Sequence, residues 1–432
     1  MNLTRLSYVI AVLIAALGII GEWQPNAISA LWRLLAATWV VLLLLEWYLA
    51  RRTRLSVARA IKPGIHLGRP GDLNYTIRNA SPRRLRMRSM DQYPMSVHES
   101  PPILEWSIAA NDSQRRQERI TPTQLGPLAW DVMQLRILGF FGLAWWSRQQ
   151  QVQTTTEVIP DRLYSHEQVQ SATAHQGDIT RRVHGIGTEL IALREYQPGD
   201  PLHFIDWKAS ARSQRTMVRL FSDEQHLELM IVIDAGRTSS MQAGSLTRLG
   251  HYINVASRLA QKALLNGDQI GIVIFADTVL ASMHRLKGHH GLQRLRTILA
   301  QVTSVARESN PLPAILRVRQ LASLRSLVVM LTDLDDGDAA AQLVKAMGIL
   351  QPKHQPLLAA ISDSDVRKLG EAEASAWLDP YHGLAASEML QNWRHTRVRL
   401  ERMGIPVVLS DIRYLDKQVL DSYDHLKQRY RI

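Results

Sequence analysis

Two apolar runs in the second half of the chain end in acids. Residues 227–233 lead into Asp234-Ala235-Gly236-Arg237-Thr238-Ser239-Ser240, and residues 327–331 lead into Thr332-Asp333-Leu334-Asp335-Asp336. If both runs are strands of a helix-covered sheet, a ligand would bind in the crevice beyond their carboxyl ends. Carboxylates there suit a hard cation such as Mg²⁺, which takes oxygen ligands and keeps waters. The plainer alternative is that Asp234 caps nearby backbone amides. Asp335, Asp336 and Asp338 fit the solvated start of a helix. A second polar group lies upstream, where Arg194, Asp206, Lys208 and Arg212 bring both signs of charge into a short span. A carboxylate beside a lysine and two arginines can do acid–base work, brace two elements or form a protein-docking surface. No Ser/His/Asp order, phosphate loop or HExxH accompanies it. The sequence holds no cysteine, which excludes thiolate zinc sites, iron–sulfur clusters and a cysteine nucleophile. Among 15 histidines, His289 and His290 are adjacent, and His175, His184 and His203 follow no ligand spacing. They read as scattered surface or core residues.

The elements that must hold these groups follow from pattern. Residues 226–432 alternate apolar runs (227–233, 270–275, 327–331, 357–361, 407–409) with helical stretches at 249–265, 339–350 and 387–403. That order implies crossovers and a buried, mainly parallel sheet. Leu415, Val419, Tyr423, Leu426 and Tyr430 mark one face of a closing helix. Residues 55–160 carry short alternating runs broken by Gly, Pro and Asn, the pattern of a small β-sandwich. There Arg83, Arg84, Arg86 and Arg88 alternate with Leu85 and Met87, a basic row for one strand face. It would be either a solvated edge or a contact for lipid headgroups or an acidic partner. The apolar stretch at 138–143, followed by Trp145 and Trp146, is too short to cross a bilayer and reads as core or an inter-domain contact.

Residues 1–54 read as a transmembrane hairpin with spans at about 6–23 and 31–50. Pro25 and Asn26 would turn the chain, and Trp23, Trp32, Trp47 and Tyr48 sit where interfacial aromatics belong. Arg33 and Glu46 lie near the ends of the second run and can snorkel. Arg5 precedes the first run, and Arg51, Arg52 and Arg54 follow the second, so both termini and everything after residue 50 are expected to be cytoplasmic. The formal net charge is +12, and residues 51–160 hold 16 basic against 8 acidic side chains. A basic excess beside the most apolar stretch points to an anionic membrane surface, not to nucleic acid.

The segment 161–225 carries the most specific pattern. Arg194-Glu195-Tyr196-Gln197-Pro198-Gly199-Asp200, then Ile205-Asp206-Trp207-Lys208-Ala209-Ser210-Ala211-Arg212, resembles the signature of the domain of unknown function 58 family. Pro198-Gly199-Asp200 forms a tight turn on any reading. The resemblance implies a bacterial inner-membrane protein, multi-pass, with cytoplasmic soluble domains and no assigned enzymatic activity. It implies a MoxR-type AAA+ ATPase as protein partner in envelope or maturation functions. It also implies a von Willebrand factor A-like region at 226–432, whose metal-ion-dependent adhesion motif begins Asp-x-Ser-x-Ser. Against that motif, Asp234 and Thr238 match, Gly236 lacks the hydroxyl, Asp333 stands for the later acid, and Ser309-Asn310 lie near where the loop threonine belongs. The expected fold is therefore multidomain: two transmembrane α-helices, a β-sandwich-like domain at 55–160, and an α/β von Willebrand factor A-like domain with a mainly parallel sheet. The expected function is a non-enzymatic, membrane-anchored adaptor; the alternative is a divalent-metal-dependent enzyme using Asp234 and Asp333.

Overall fold

A computed structural model describes residues 2–23, 27–163, 189–222, 227–334, 337–371 and 377–430. The turn expected at Pro25 and Asn26 lies outside them, as do His175, His184, Asp335 and Asp336. The chain divides into two compact units, Met1–Ile159 and Pro160–Ile432.

The first unit starts with a short strand, β1 (Asn2–Leu3), and two helices, α1 (Arg5–Trp23) and α2 (Ala27–Arg51). Eight strands follow: β2 (Leu55–Ile61), β3 (Ile65–His66), β4 (Gly71–Asn79), β5 (Leu85–Asp91), β6 (Ile103–Ile108), β7 (Ser113–Ile120), β8 (Gly126–Leu138) and β9 (Ala144–Ile159). One sheet has the order β1-β9-β8-β5-β6 with β3 also on β9; the other is β2-β4-β7. Alternation sets which side chains go inward. β5 buries Leu85, Met87, Ser89 and Asp91 and turns Arg86 and Arg88 outward, as a basic row on a strand face requires. The inward Asp91 is not left alone. Arg59 pairs with it at 2.5 Å and the Tyr75 hydroxyl donates to it at 2.7 Å, so the buried charge is matched.

Glu46 does not snorkel. It has no exposed surface, and its carboxylate accepts the backbone N–H groups of Phe141 (2.7 Å), Leu143 (3.1 Å) and Ala144 (3.2 Å) in the turn between β8 and β9. A side chain at Gly139 would collide with that carboxylate, so the close approach requires glycine there.

The second unit opens with the antiparallel hairpin β10 (Glu189–Glu195) and β11 (Met217–Ser222), with the short helix α3 (Trp207–Ser213) between them. Then come β12 (Glu228–Asp234), β13 (Gln242–Ala243), β14 (Leu246–Thr247), α4 (Arg248–Leu265), β15 (Gln269–Phe275), β16 (Val279–Leu286), α5 (Gly288–Ala300), α6 (Pro311–Leu321), β17 (Leu327–Leu331), α7 (Gly337–Leu350), β18 (Gln355–Ile361), α8 (Ser364–Glu371), α9 (Asp379–Arg402), β19 (Val407–Ser410) and α10 (Ile412–Tyr430). The large sheet has the order β16-β15-β12-β17-β18-β19. β12 pairs in parallel with β15 and β17, while β16 joins β15 antiparallel. β12 and β17 are buried along nearly their whole length, which explains why they read as unbroken apolar runs.

The expected fold class does not hold. Among the described residues one helix, Ala30–Arg51, is long and apolar enough to cross a membrane, not two. Within α1 the apolar part is the shorter stretch Arg5–Ile20, below the ~20 residues that a bilayer core takes. Antiparallel pairing prevails in the first unit and in the hairpin of the second, and the six-stranded sheet is mixed because of β16. The protein is mixed α/β, and the von Willebrand factor A-like, mainly parallel architecture is replaced by that description. The run at 279–286 was not recognised as a strand because only its last residue is fully buried, so the apolar signal was weak.

Candidate functional site

β12 lies at the centre of the mixed sheet, and its last residue, Asp234, is buried. The Asp234 carboxylate accepts from the Gly236 N–H at 2.9 Å and the Ser309 hydroxyl at 2.5 Å on one oxygen. On the other it accepts from the Thr332 hydroxyl at 2.6 Å. Burial pushes this carboxyl above its ordinary range, and the bonds from Ser309, Thr332 and Gly236 oppose that. Thr332 follows β17 directly, so the neighbouring strand supplies the second hydroxyl. Gly236 has a structural reason to lack a side chain: a Cβ there would collide with the Ser309 hydroxyl. The hydroxyl that the sequence lacks at Gly236 is thus delivered from the loop before α6.

Asp333 faces a different set. Tyr252 on α4 donates to it at 2.7 Å, and the Arg248 guanidinium lies at 3.0 Å, both ion-pair partners being almost wholly buried. Burial pushes the Asp333 carboxyl up; Arg248 and Tyr252 pull it down, and the nearby Asp234 charge adds to the rise. Arg248 and Tyr252 are four residues apart, so one helix face presents both to the acid. That spacing was the available signal for two residues that sequence reasoning missed. A cavity of about 330 Å³ opens here, lined by Asp234, Thr238, Glu308, Ser309, Thr332 and Asp333 among others. Asp234, Thr238 and Asp333 all line this one cavity.

The donors do not suit a resident Mg²⁺. Asp234 already accepts three hydrogen bonds, and Arg248 supplies Asp333 with its counter-charge. No group of three or more His, Cys, Asp or Glu that could hold a metal occurs among the described residues. A hard cation wants several anionic or carbonyl oxygens free to face it.

The second candidate is the β10–β11 hairpin. Gly199 has φ +108°, which glycine adopts without strain, and Asp200 closes the turn through its N–H to the Gln197 carbonyl at 3.0 Å. Arg194 donates to the Asp200 carboxylate at 2.5 Å, and the other Asp200 oxygen accepts the Gln197 N–H at 2.9 Å. Asp206 caps α3 by accepting from the N–H groups of Lys208 and Ala209, both at 3.0 Å. The Ala209 amide above all, with Arg219 and Lys208, holds the Asp206 carboxyl below its ordinary range. Ser210 donates to the Asp206 carbonyl at 2.7 Å and accepts the Met217 N–H at 2.8 Å, tying α3 to β11. The Tyr196 N–H donates to the Thr216 carbonyl at 2.8 Å. Arg194, Asp200, Asp206 and Ser210 thus brace the hairpin. Lys208 and Arg212 are exposed, and so are Trp207 at 72% and Leu202 at 70%. Among the described residues, the largest apolar side chain of the motif is left mostly uncovered.

Residues 192–403, just under half of the chain, match the family described as "Protein of unknown function DUF58". This supports the family resemblance drawn from the signature, whereas the von Willebrand factor A-like assignment finds no confirmation. Uncharacterized proteins of Mycobacterium bovis and Mycobacterium tuberculosis are each 28% identical over 131 residues, 30% of this chain and 40% of theirs. The chain thus spans well under half the length of these relatives. Among solved structures, a CARDB domain from Pyrococcus furiosus in complex with di-metal ions aligns at 9% identity, covering 24% of this chain and 93% of that one, with a TM-score of 0.19. Proximal thread matrix protein 1 from the mussel byssus aligns at 13%, covering 45% and 44%, with a TM-score of 0.26. At those scores neither informs the fold.

Proposed function

We propose that the chain is a membrane-anchored, non-enzymatic protein-interaction factor that docks a partner on the β10–β11 hairpin. One observation carries the reading: Arg194–Asp200, Asp206–Ala209 and Ser210–Met217 bonds hold the hairpin together internally, while Trp207 and Leu202 stay outward. An exposed tryptophan gains most from burial at a contact, and Trp and Arg are the residues on which binding energy concentrates. Lys208 and Arg212 would set charge complementarity at the rim. The partner suggested by the family resemblance is a MoxR-type AAA+ ATPase, with envelope or maturation work as the context. The anchor is α2, and Arg51, Arg52 and Arg54 after it favour a bacterial inner membrane with the following residues cytoplasmic.

The metal-dependent enzyme reading has less support, because Asp234 is saturated with donors and Asp333 is neutralised by Arg248. The test places a photo-crosslinking amino acid at Trp207 in the full chain, in membranes containing the ATPase. The expected result is a crosslink to the ATPase that a probe at exposed Met95 does not give. A folded protein with no adduct at Trp207 would sink the docking reading. Divalent-metal-dependent hydrolysis by the purified chain, abolished in Asp234→Ala, would replace it with the enzyme.

A further inference from the structure

We infer that the turn between β8 and β9 is a second membrane contact: Phe140 and Phe141 enter the interfacial layer of the bilayer that α2 crosses, with an arginine collar on anionic headgroups. The inference rests on the membrane-anchor reading above. Its first ground is the attachment of the turn to the anchor. Glu46, inside the membrane-length helix, accepts three backbone N–H groups of the turn region. Arg83 donates to the Leu49 carbonyl near the end of α2 at 3.0 Å. From the other side, Thr4 donates its hydroxyl to the Gly142 carbonyl at 2.7 Å and its N–H to the Leu143 carbonyl at 2.9 Å. The turn therefore cannot sit far from the last turns of α2. Glu46 precedes the end of that helix at Arg51 by five residues, a rise of about 7.5 Å at ~1.5 Å per residue. The headgroup layer on each side of the hydrocarbon core is roughly 5–7 Å deep. A turn held at the level of Glu46 lies at the boundary between the two.

The second ground is what the turn presents. Phe140 and Phe141 are 64% and 42% exposed and meet edge to face at 5.1 Å. Exposed phenylalanines at the tip of this turn have no role in the sheet's core, which its inward-facing residues fill. In the interfacial layer, aromatic rings and arginines are the preferred residues. They occur here in pairs: Arg51 over Trp47 at 4.6 Å, Arg52 over Tyr48 at 4.7 Å, and Arg83 over Phe140 at 5.7 Å. The local basic excess gives the lipid its sign. Glu46 fits the same picture, because its carboxylate meets amides instead of lipid.

The absence of cysteine from the sequence makes the test clean. Single cysteines at Phe141, Val41 and Met95 in the full chain would each carry an environment-sensitive fluorophore. Val41 is an exposed residue of α2. Met95 is fully exposed near Thr123, roughly 40 Å along β8 from the turn at ~3.3 Å per residue. The protein is reconstituted in vesicles of phosphatidylcholine and phosphatidylglycerol with spin-labelled lipid as quencher. Quenching at 41 and 141, several-fold above that at 95 and reduced at 141 alone when phosphatidylglycerol is omitted, is the expected result. Quenching at 41 with 141 behaving like 95 overturns the inference and leaves the anchor standing. No quenching at 41 overturns the anchor and the inference together. Unchanged quenching at 141 without phosphatidylglycerol removes the arginine collar from it.

Discussion

The Gly236 backbone has φ −75°, a conformation open to every residue. Its lack of a side chain therefore serves the Ser309 hydroxyl and not the chain path. Gly236→Ala should push Ser309 off Asp234 and cost about 1–3 kcal/mol, the range for a buried polar group losing its partner. Gly236→Ser combined with Ser309→Ala should recover part of that loss, because the hydroxyl then comes from the other loop. A double-mutant cycle by urea unfolding measures the coupling. Arg248 offers a second test. Arg248→Met leaves the buried Asp333 without its cation and should cost about 3–5 kcal/mol near neutrality. Asp333 already has a folded-state value above the ordinary 3.8, and losing Arg248 raises it further. A carboxyl raised in the fold contributes stability that is complete below 3.8 and lost as pH rises through the folded value. The deficit of the variant against the parent should therefore shrink between pH 7.5 and 5; a constant deficit would contradict the assignment. Asp234 was legible in the sequence because an acid that ends an apolar run is conspicuous. Ser309 could be placed only near the site, since no periodicity links two loops 75 residues apart.

At the scale of elements, polar side chains fix how short segments sit. Asp206 supplies the acceptor for the first amides of α3, a helix of 7 residues with no buried side chain of its own. Such a helix is too short to persist on propensity. Asp206→Ala should speed amide exchange at Lys208 and Ala209 while leaving the β12 amides protected, and hydrogen exchange with mass spectrometry reads both. Glu46→Ala should act likewise on the turn after β8, exposing the Phe141, Leu143 and Ala144 amides and lowering stability by about 1–3 kcal/mol per unsatisfied donor. The alternating strands of the first unit and the buried runs of the second were readable from pattern alone. The first of the two expected spans was misjudged because its apolar stretch, Arg5–Ile20, is shorter than the ~20 residues a bilayer core takes. Glu46 was misjudged because an acid near the end of an apolar run looks the same whether it reaches water or three amides 95 to 98 residues away.

Across the whole molecule, the unit boundary gives the start of the second unit a structural job. Asp161 is fully buried; its N–H donates to the Asn254 side chain at 3.0 Å and its carbonyl accepts the Ser257 hydroxyl at 2.7 Å. Its carboxylate pairs with Arg258, which also pairs with Asp416 on α10. Asp161, just past the first unit, thus clasps α4, and through Arg258 it reaches the closing helix. Sequence reading placed Asp161 onward with the family signature, because nothing in Asp161-Arg162-Leu163 announces a tie to a helix 93 residues on. The second unit owns a continuous core across β12, β15, β17 and β18 with α6, α7 and α9. A fragment of residues 160–432 should therefore be soluble without detergent and unfold cooperatively. A fragment of residues 164–432 keeps that core but loses the clasp. Arg258 retains Asp416, so the loss is partial, and about 1–3 kcal/mol is expected from the donors and acceptors left unmatched. Urea midpoints that coincide for the two fragments would mean that Asp161 only follows the fold, whereas a lower midpoint for the shorter one makes the clasp part of what holds α4 and α10 in place.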